Sequence, residues 1–282
     1  MKTVGVVTCR PLPEPDPDEE LLLAALEAAG VSASLLPWND EQADPGRYDL
    51  CILRSCWDYH LDPNRFLAWV AQAAGRTRLF NSLGIVRWNL HKGYLRKLEA
   101  AGVPVVPTAW VEAGDRVELA GLMAGHGWDD VVVKPAIGAG SHMTRRVGVE
   151  QAAAAGQEFL DAVSARGDAM VQPFMSSVTT RGERAIVWID GEFTHQVVKR
   201  PRYHGQDEQV SAASWPCESD LQVAESAIGL VRDDLMYARV DLIDDANGAP
   251  VVSELELLEP SLFLLQHGPA LERLVAALVR HA

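Results

Sequence analysis

Residues 237–260, YARVDLIDDANGAPVVSELELLEP, set an Asn-Gly pair between two apolar runs. Asn-Gly is the strongest short hairpin signal, because both residues accept the positive φ of a type I′ turn. With Asn247 and Gly248 as the central residues, Asp241 stands opposite Glu254 and Arg239 opposite Glu256. Residues two apart share one face of a strand. Arg239, Asp241, Glu254 and Glu256 therefore point one way, and Val240, Leu242 and Leu255 the other. Like charges set directly opposite one another repel. A face that gathers three carboxylates and one arginine is either a solvated acidic surface or a cation site. The continuation PVVSELELLEPSLFLL is too apolar for a plain surface strand. All-oxygen donors of this kind favour Mg²⁺, Mn²⁺ or Ca²⁺ over zinc.

At 282 residues the chain is long enough for two domains or for one enzyme in three parts. The formal net charge of −14 argues against nucleic acid or an anionic membrane as a partner, since phosphate contacts need a basic surface. It leaves room for a local basic pocket. No apolar run is long enough to span a bilayer. The opening MKTVGVVTCR enters a strand-like run without a signal-peptide h-region or cleavage site. Cys9, Cys51, Cys56 and Cys217 form neither C-x-x-C nor a Cys/His zinc pattern, and four scattered cysteines fit a reducing cytoplasm.

Strand and helix patterns alternate through residues 1–87, which predicts a parallel sheet flanked by helices. Residues 88–170 are mixed. NLHKGYLRKLEAAG reads as one amphipathic helix, VPVVPTAWV as an edge strand because of its prolines, and DDVVVKPAIGAGSHMTRRV as strand, glycine loop and strand. Strands dominate residues 171–282. GERAIVWIDGEFTHQVVKRP reads as a hairpin turning at Asp190-Gly191, and on that register Arg184 and Lys199 share a face while Glu183 lies on the other.

Three further groups carry chemistry. Lys134 ends a buried strand and leads into a loop of small residues, Gly138, Ala139, Gly140 and Ser141. Glycines let backbone N–H groups approach phosphate oxygens, and lysine adds a point charge. The loop is neither a Walker A motif nor a Rossmann fingerprint, and a plain strand turn explains it equally well. Lys92 reads as a helical lysine, and Gln172 and Pro173 as a strand exit. In the N-terminal part, Arg54, Ser55 and Asp58 follow a buried strand, where open α/β sheets bind ligands.

Taken together, Lys92, VVVKP with its glycine loop, MVQPF, GERAIVWIDGEF, ARVDL and ELELLEP resemble the ATP-grasp ligase superfamily over nearly the whole chain. RSCWDY, VRWNLHKGYL and EPSLFL are most similar to its small bacterial branch of glutathione synthetase-like and cycloserine-forming enzymes. The resemblance implies an α/β N-terminal domain (1–87) and two α+β lobes (88–170 and 171–282) that hold ATP between them. Carried over by position, Lys92, Lys134 and the loop Gly138–Ser141 would meet the phosphates. Gln172, Pro173 and Phe174 would line the adenine and Glu183 the ribose. Asp241, Glu254 and Glu256 would bind Mg²⁺, with Mn²⁺ possible. Arg239 and Lys199 would act at the reacting centre, and Arg54, Ser55 and Asp58 would hold a small amino-acid substrate. The implied reaction is carboxylate–amine ligation through an acyl phosphate. Ring closure within one substrate and a non-catalytic nucleotide binder are the alternatives. Dimers are common in the family, so a homodimer stays open.

Overall fold

The computed structural model describes residues 1–200, 209–231 and 235–282. The first part contains β1 (Thr3–Thr8), α1 (Pro17–Ala28), β2 (Ser32–Pro37), β3 (Leu50–Leu53), α2 (Pro63–Ala74) and β4 (Arg78–Phe80). Its strands form a parallel sheet in the order β2-β1-β3-β4. Continuous apolar runs such as VGVVT and LCIL suit strands covered on both faces. Asp16 caps α1 by accepting from the Asp18 amide at 2.9 Å, and Pro17 opens the helix where no amide donor is needed.

Two short helices follow, α3 (Leu83–Asn89) and α4 (Tyr94–Ala100). The single helix expected here is broken, and Lys92 lies in the turn between them. The Lys92 amide donates to Ala136 O at 2.8 Å, so this backbone is committed to the glycine loop instead of to a helix.

The second sheet is built from β5 (Ala109–Val111), β6 (Asp130–Pro135), β7 (Arg145–Gly148) and β8 (Ala169–Pro173), antiparallel in the order β5-β8-β6-β7. Helix α5 (Leu119–His126) and the run of α6 (Val149–Gln151), a π turn and α7 (Gln157–Ser164) pack on it. Strand β5 is at the edge, as expected, but Pro104 and Pro107 lie before it and not within it. The boundary expected at residue 170 falls inside β8, so this sheet continues to Pro173.

After α8 (Ser177–Thr180), a third antiparallel sheet comprises β9 (Glu183–Ile189), β10 (Glu192–Arg200), β11 (Gln209–Val210), β12 (Tyr237–Asp244) and β13 (Pro250–Glu256). Its order is β11-β10-β9-β12-β13. One face packs Val240, Leu242 and Leu255 against Leu95 and Leu98 of α4 and against Ala224, Ala227 and Ile228 of α9 (Glu218–Ile228). Helix α4 thus belongs to the core of the third sheet, although the sequence groups it with the central segment. Residues Pro104–Val106 also join this sheet: the Val106 amide donates to Val252 O at 3.0 Å and the Val252 amide to Pro104 O at 2.9 Å. Helix α10 (Gly268–His281) and α1 fill the space between the first and third sheets, with Leu22, Leu26, Leu274 and Leu278 in one core with Val4 and Val187.

Asn81 ties the first sheet to the third. It is fully buried, donates Nδ2 to Tyr237 O at 2.9 Å and Leu257 O at 2.7 Å, and accepts from the Met236 amide at 2.7 Å. Asn81→Ala strands these buried backbone groups. It is expected to lower the unfolding free energy by about 1–3 kcal/mol for each group that water cannot reach, read from urea melts.

Candidate active site

The acidic hairpin pairs Asp241 with Glu254 and Arg239 with Glu256, as its turn signal predicts, but through two irregularities that offset each other. Of the two turn residues only Gly248 takes a positive φ, of 81°. The turn closes with the Asp245 amide on Ala249 O at 2.8 Å, so it holds three residues and Leu242 faces Val252. A bulge at Ser253 then restores the expected register at Asp241. The Ser253 hydroxyl is 2.7 Å from Glu183 Oε1 and 2.9 Å from Asp241 O.

In the hairpin of β9 and β10 the bulge acts the other way. The register shifts between Phe193 and His195 and sets Lys199 opposite Glu183. Glu183 therefore shares the face of Lys199, which corrects the sequence reading. Arg184 turns to the opposite face, where it is buried against Asp220 at 2.7 Å and Asp244 at 2.6 Å.

These registers assemble one charged cleft. Arg239 Nε and Nη2 donate to Asp241 Oδ1 and Oδ2 at 2.8 and 2.9 Å, and Nη2 also donates to Glu256. Lys199 Nζ is 2.7 Å from Asp241 Oδ2 and 3.0 Å from Glu183 Oε2. Lys134 Nζ is 2.9 Å from Glu254 Oε1, and Lys92 Nζ is 3.8 Å from Glu254 Oε2. Every carboxylate of the expected trio is held by a cation. Among the described residues, no group of three or more His, Cys, Asp or Glu side chains is arranged to hold a metal ion. Asp241 differs from the other two: its side chain is 1% exposed and both its oxygens are engaged, whereas the glutamates reach the cleft with 23% and 25% exposure.

Electrostatics follow from these pairs. Burial pushes the Glu256 carboxyl up to about 7, with Arg239 opposing and Asp241 adding to the rise. Burial would raise Glu254 as well, but Lys134 and Lys92 outweigh it and hold that carboxyl well below its usual range. Asp241 is likewise kept low, against its burial, by Arg239 and Lys199. Burial and Arg239 oppose the charge on Lys199, and Asp241 and Glu183 hold it firmly protonated.

The glycine loop lies over the lysines. Lys92 Nζ donates to Gly138 O at 2.9 Å, and the Tyr59 hydroxyl reaches the same carbonyl at 3.4 Å. Gly140, Ser141 and Met143 have φ of 56°, 59° and 49°, so the loop turns through left-handed backbone. The rings of His142 and His60 lie 4.7 Å apart and join the loop to the helical turn Tyr59–Leu61 that follows β3. At the other end of the cleft, β5 pairs with β8 only as far as Val171. The segment Gln172–Phe174 runs on past that edge, with Gln172 Nε2 donating to Thr108 Oγ1 at 2.9 Å and the Phe174 amide to Asp130 O at 2.8 Å.

The three expected substrate residues are placed differently. Arg54 is 3% exposed, donates Nη1 to Pro260 O at 2.8 Å, and lies 4.0 Å from Asp18 and 5.7 Å from the Tyr237 ring centre. It is neither an open fork nor a partner of Asp58. Asp58 accepts from Trp38 Nε1 at 2.6 Å and Asn39 Nδ2 at 2.8 Å, and the Ser55 hydroxyl donates to Asp16. These groups hold loops in place. A buried strand end marks both ligand sites and loop anchors, and sequence alone does not separate them.

Comparison with known proteins agrees with this geometry. A family model described as D-cycloserine synthetase DcsG, N-terminal domain, matches residues 4–81. The cycloserine biosynthesis protein DcsG of Streptomyces lavendulae is 31% identical over 270 residues, 88% of each chain. The crystal structure of D-cycloserine synthetase DcsG superposes with a TM-score of 0.89 at 30% identity, covering 99% of this chain and all 100% of that one. The chain belongs to the D-cycloserine synthetase family of ATP-grasp ligases. A more distant ATP-grasp ligase, PsnB complexed with minimal precursor, Mg and ADP, shares the fold at 18% identity and a TM-score of 0.65, over 99% of this chain and 96% of that one.

The chain is thus an ATP-grasp ligase that forms C–N bonds, with the parallel N-terminal sheet and two antiparallel lobes of that fold. One histidine of β10 is buried. His195 is 1% exposed, its ring stacks on His267 at 4.7 Å, and burial together with His267 lowers its pKa from 6.5 to about 4. The folded state therefore binds fewer protons than the unfolded chain between those values. Its contribution to stability is complete above the unfolded pKa and is lost as pH falls from about 6.5 towards 4. His195→Gln should flatten this part of the acid-unfolding curve, measured by circular dichroism between pH 7 and 4.

Proposed function

We propose that the chain phosphorylates the carboxylate of an amino-acid derivative with ATP and closes an amide with a nitrogen of the same molecule. Whole-length similarity to D-cycloserine synthetase carries this reading. The charged cleft supports it, since its lysines, arginine and carboxylates are the groups that a phosphoryl transfer between two anions requires.

In the first step a carboxylate oxygen bonds to the γ-phosphorus, the bond to the bridging oxygen breaks, and ADP leaves. The nitrogen then bonds to the acyl carbon, the carbon–oxygen bond to phosphate breaks, and the nitrogen gives up a proton. Lys92, Lys134 and the loop Gly138–Ser141 receive the phosphates. Gln172, Pro173 and Phe174 line the adenine and Glu183 meets the ribose. Arg239 and Lys199 face the transferred group, already oriented by Asp241, so little reorganisation accompanies the charge movement. Holding both ends of one substrate makes the second step unimolecular.

The donor set fits a hard divalent cation, with Glu254 and Glu256 as the accessible ligands and Asp241 behind them. Mg²⁺ or Mn²⁺ held there neutralises the phosphate oxygens when bound. Lys134 and Lys92 now occupy Glu254. Arriving phosphates offer both lysines a stronger anionic partner, which releases Glu254 to the ion that accompanies the nucleotide.

The test is an ADP-release screen over single amino-acid derivatives and amino-acid pairs, with mass spectrometry of the products. A product one water lighter than a single substrate is expected, and turnover that requires pairs would replace ring closure with ligation. Glu254→Gln should stay folded, melt below the parent because Lys134 loses its partner, and lose at least about a hundredfold in turnover. Unchanged turnover at low Mg²⁺ would remove Glu254 from the site.

A further inference from the structure

The turn that carries Lys92 is closed by the side chain beside it. Where the helix breaks between α3 and α4, the Lys92 amide goes to Ala136 O at 2.8 Å, and the Gly93 amide donates to His91 Nδ1 at 2.9 Å. Asn and Asp close turns in the same way, with a side-chain acceptor for the amide two residues on. Gly93 allows the ring to come this close, since a Cβ there would lie 2.8 Å from Nδ1.

The other side of the ring faces the second sheet. His91 Nε2 is 3.3 Å from Asp168 Oδ2, and the ring stacks on Trp110 of β5 with centroids 6.2 Å apart. Asp168 is itself tied down: its Oδ1 accepts from the Ala113 amide at 2.9 Å and its carbonyl from the Ala136 amide at 2.8 Å. Because Nδ1 accepts, the proton of the neutral ring is on Nε2, toward Asp168. Burial lowers the pKa of His91 from its ordinary 6.5, with Asp168 opposing and Arg96 and Lys92 adding to the fall, which keeps the ring neutral.

Lys92 needs such a hold. Its stem is long and flexible, and its ammonium is a point charge without a directional fork. Where Nζ sits is therefore set by where its backbone is held. Nζ lies 2.9 Å from Gly138 O and 3.8 Å from Glu254 Oε2, and Lys134 reaches the same carboxylate from β6. The bonds through Ala136, Asp168 and His91 tie the turn of the first lysine to the sheet that carries the second.

We propose that His91 is a positioning residue for Lys92: its Nδ1 fixes the turn so that Lys92 and Lys134 grip the same phosphates, and Asp168 and Trp110 orient the ring. This rests on the reading of the cleft as an ATP site and adds to it a residue whose ring nitrogens are spent on Gly93 and Asp168.

Calorimetric titration with a non-hydrolysable ATP analogue and Mg²⁺ tests this. His91→Asn keeps an acceptor for the Gly93 amide and loses the ring, whereas His91→Phe keeps a ring on Trp110 and loses both nitrogens. His91→Phe should weaken binding at least about tenfold, the order of a misplaced charge-assisted contact, and His91→Asn should stay within about threefold of wild type. The reverse order would make the ring a packing element and overturn the assignment. Equal losses in the two variants overturn it as well, as does a lower melting temperature in His91→Phe with unchanged affinity. Should His91→Phe fail to fold, Gly93→Ala takes its place, because the added methyl displaces the ring, and wild-type affinity there overturns the proposal. Lys92→Met separates this proposal from the reading beneath it. Loss in Lys92→Met without loss in His91→Phe overturns the role of His91 alone. Unchanged affinity in Lys92→Met removes Lys92 from the phosphates, and the role of His91 falls with it.

Discussion

The buried pair of Arg239 and Asp241 sets the terms for the cleft. Both side chains lie almost out of reach of water, two residues apart on one strand, and joined by two hydrogen bonds. A buried charge must be met in place or it destabilises the fold by several kcal/mol. Arg239 meets Asp241 and still has donors for Glu256 and Ser261 O. Lys199 closes the remaining side of Asp241 and carries the network to Glu183. The positions of the cleft's other charges follow from that requirement. The bulge that brings Lys199 opposite Glu183 and the bulge at Ser253 that brings Glu254 opposite Asp241 both serve it.

The same residues link the three sheets. Asn81 and Arg54, from the N-terminal sheet, bind backbone carbonyls in the loop that follows the acidic strand. Lys92 reaches from the turn between two helices to the glycine loop and to Glu254. The cleft is therefore made where parts from all three sheets meet, and the hydrogen bonds that position charge are those that hold the sheets together. For that reason, residues that look like ligand groups in the sequence, such as Arg54 and Asp58, serve as anchors.

What could be read from the sequence was set by local rules. Alternation in YARVDLID and VVSELELL predicts which side chains share a face, and the face is correct. The route to it is not, because the turn holds three residues and a bulge takes up the difference. Lys199 and Glu183 show the opposite case: a bulge at a strand without glycine leaves no mark in the sequence, and a one-residue shift moves a side chain to the other face. Lys92 was hidden by helical periodicity, since only the Ala136 carbonyl from another part of the chain explains the break.

The central claim is that the lysines hold Glu254 until phosphates draw them away, so that ion and nucleotide enter together. Mn²⁺ binding read by electron paramagnetic resonance tests it most directly. Protein alone should leave the free Mn²⁺ signal nearly intact, while protein with a non-hydrolysable ATP analogue should deplete it well beyond the analogue by itself. Tight Mn²⁺ binding to the protein without nucleotide would contradict the account.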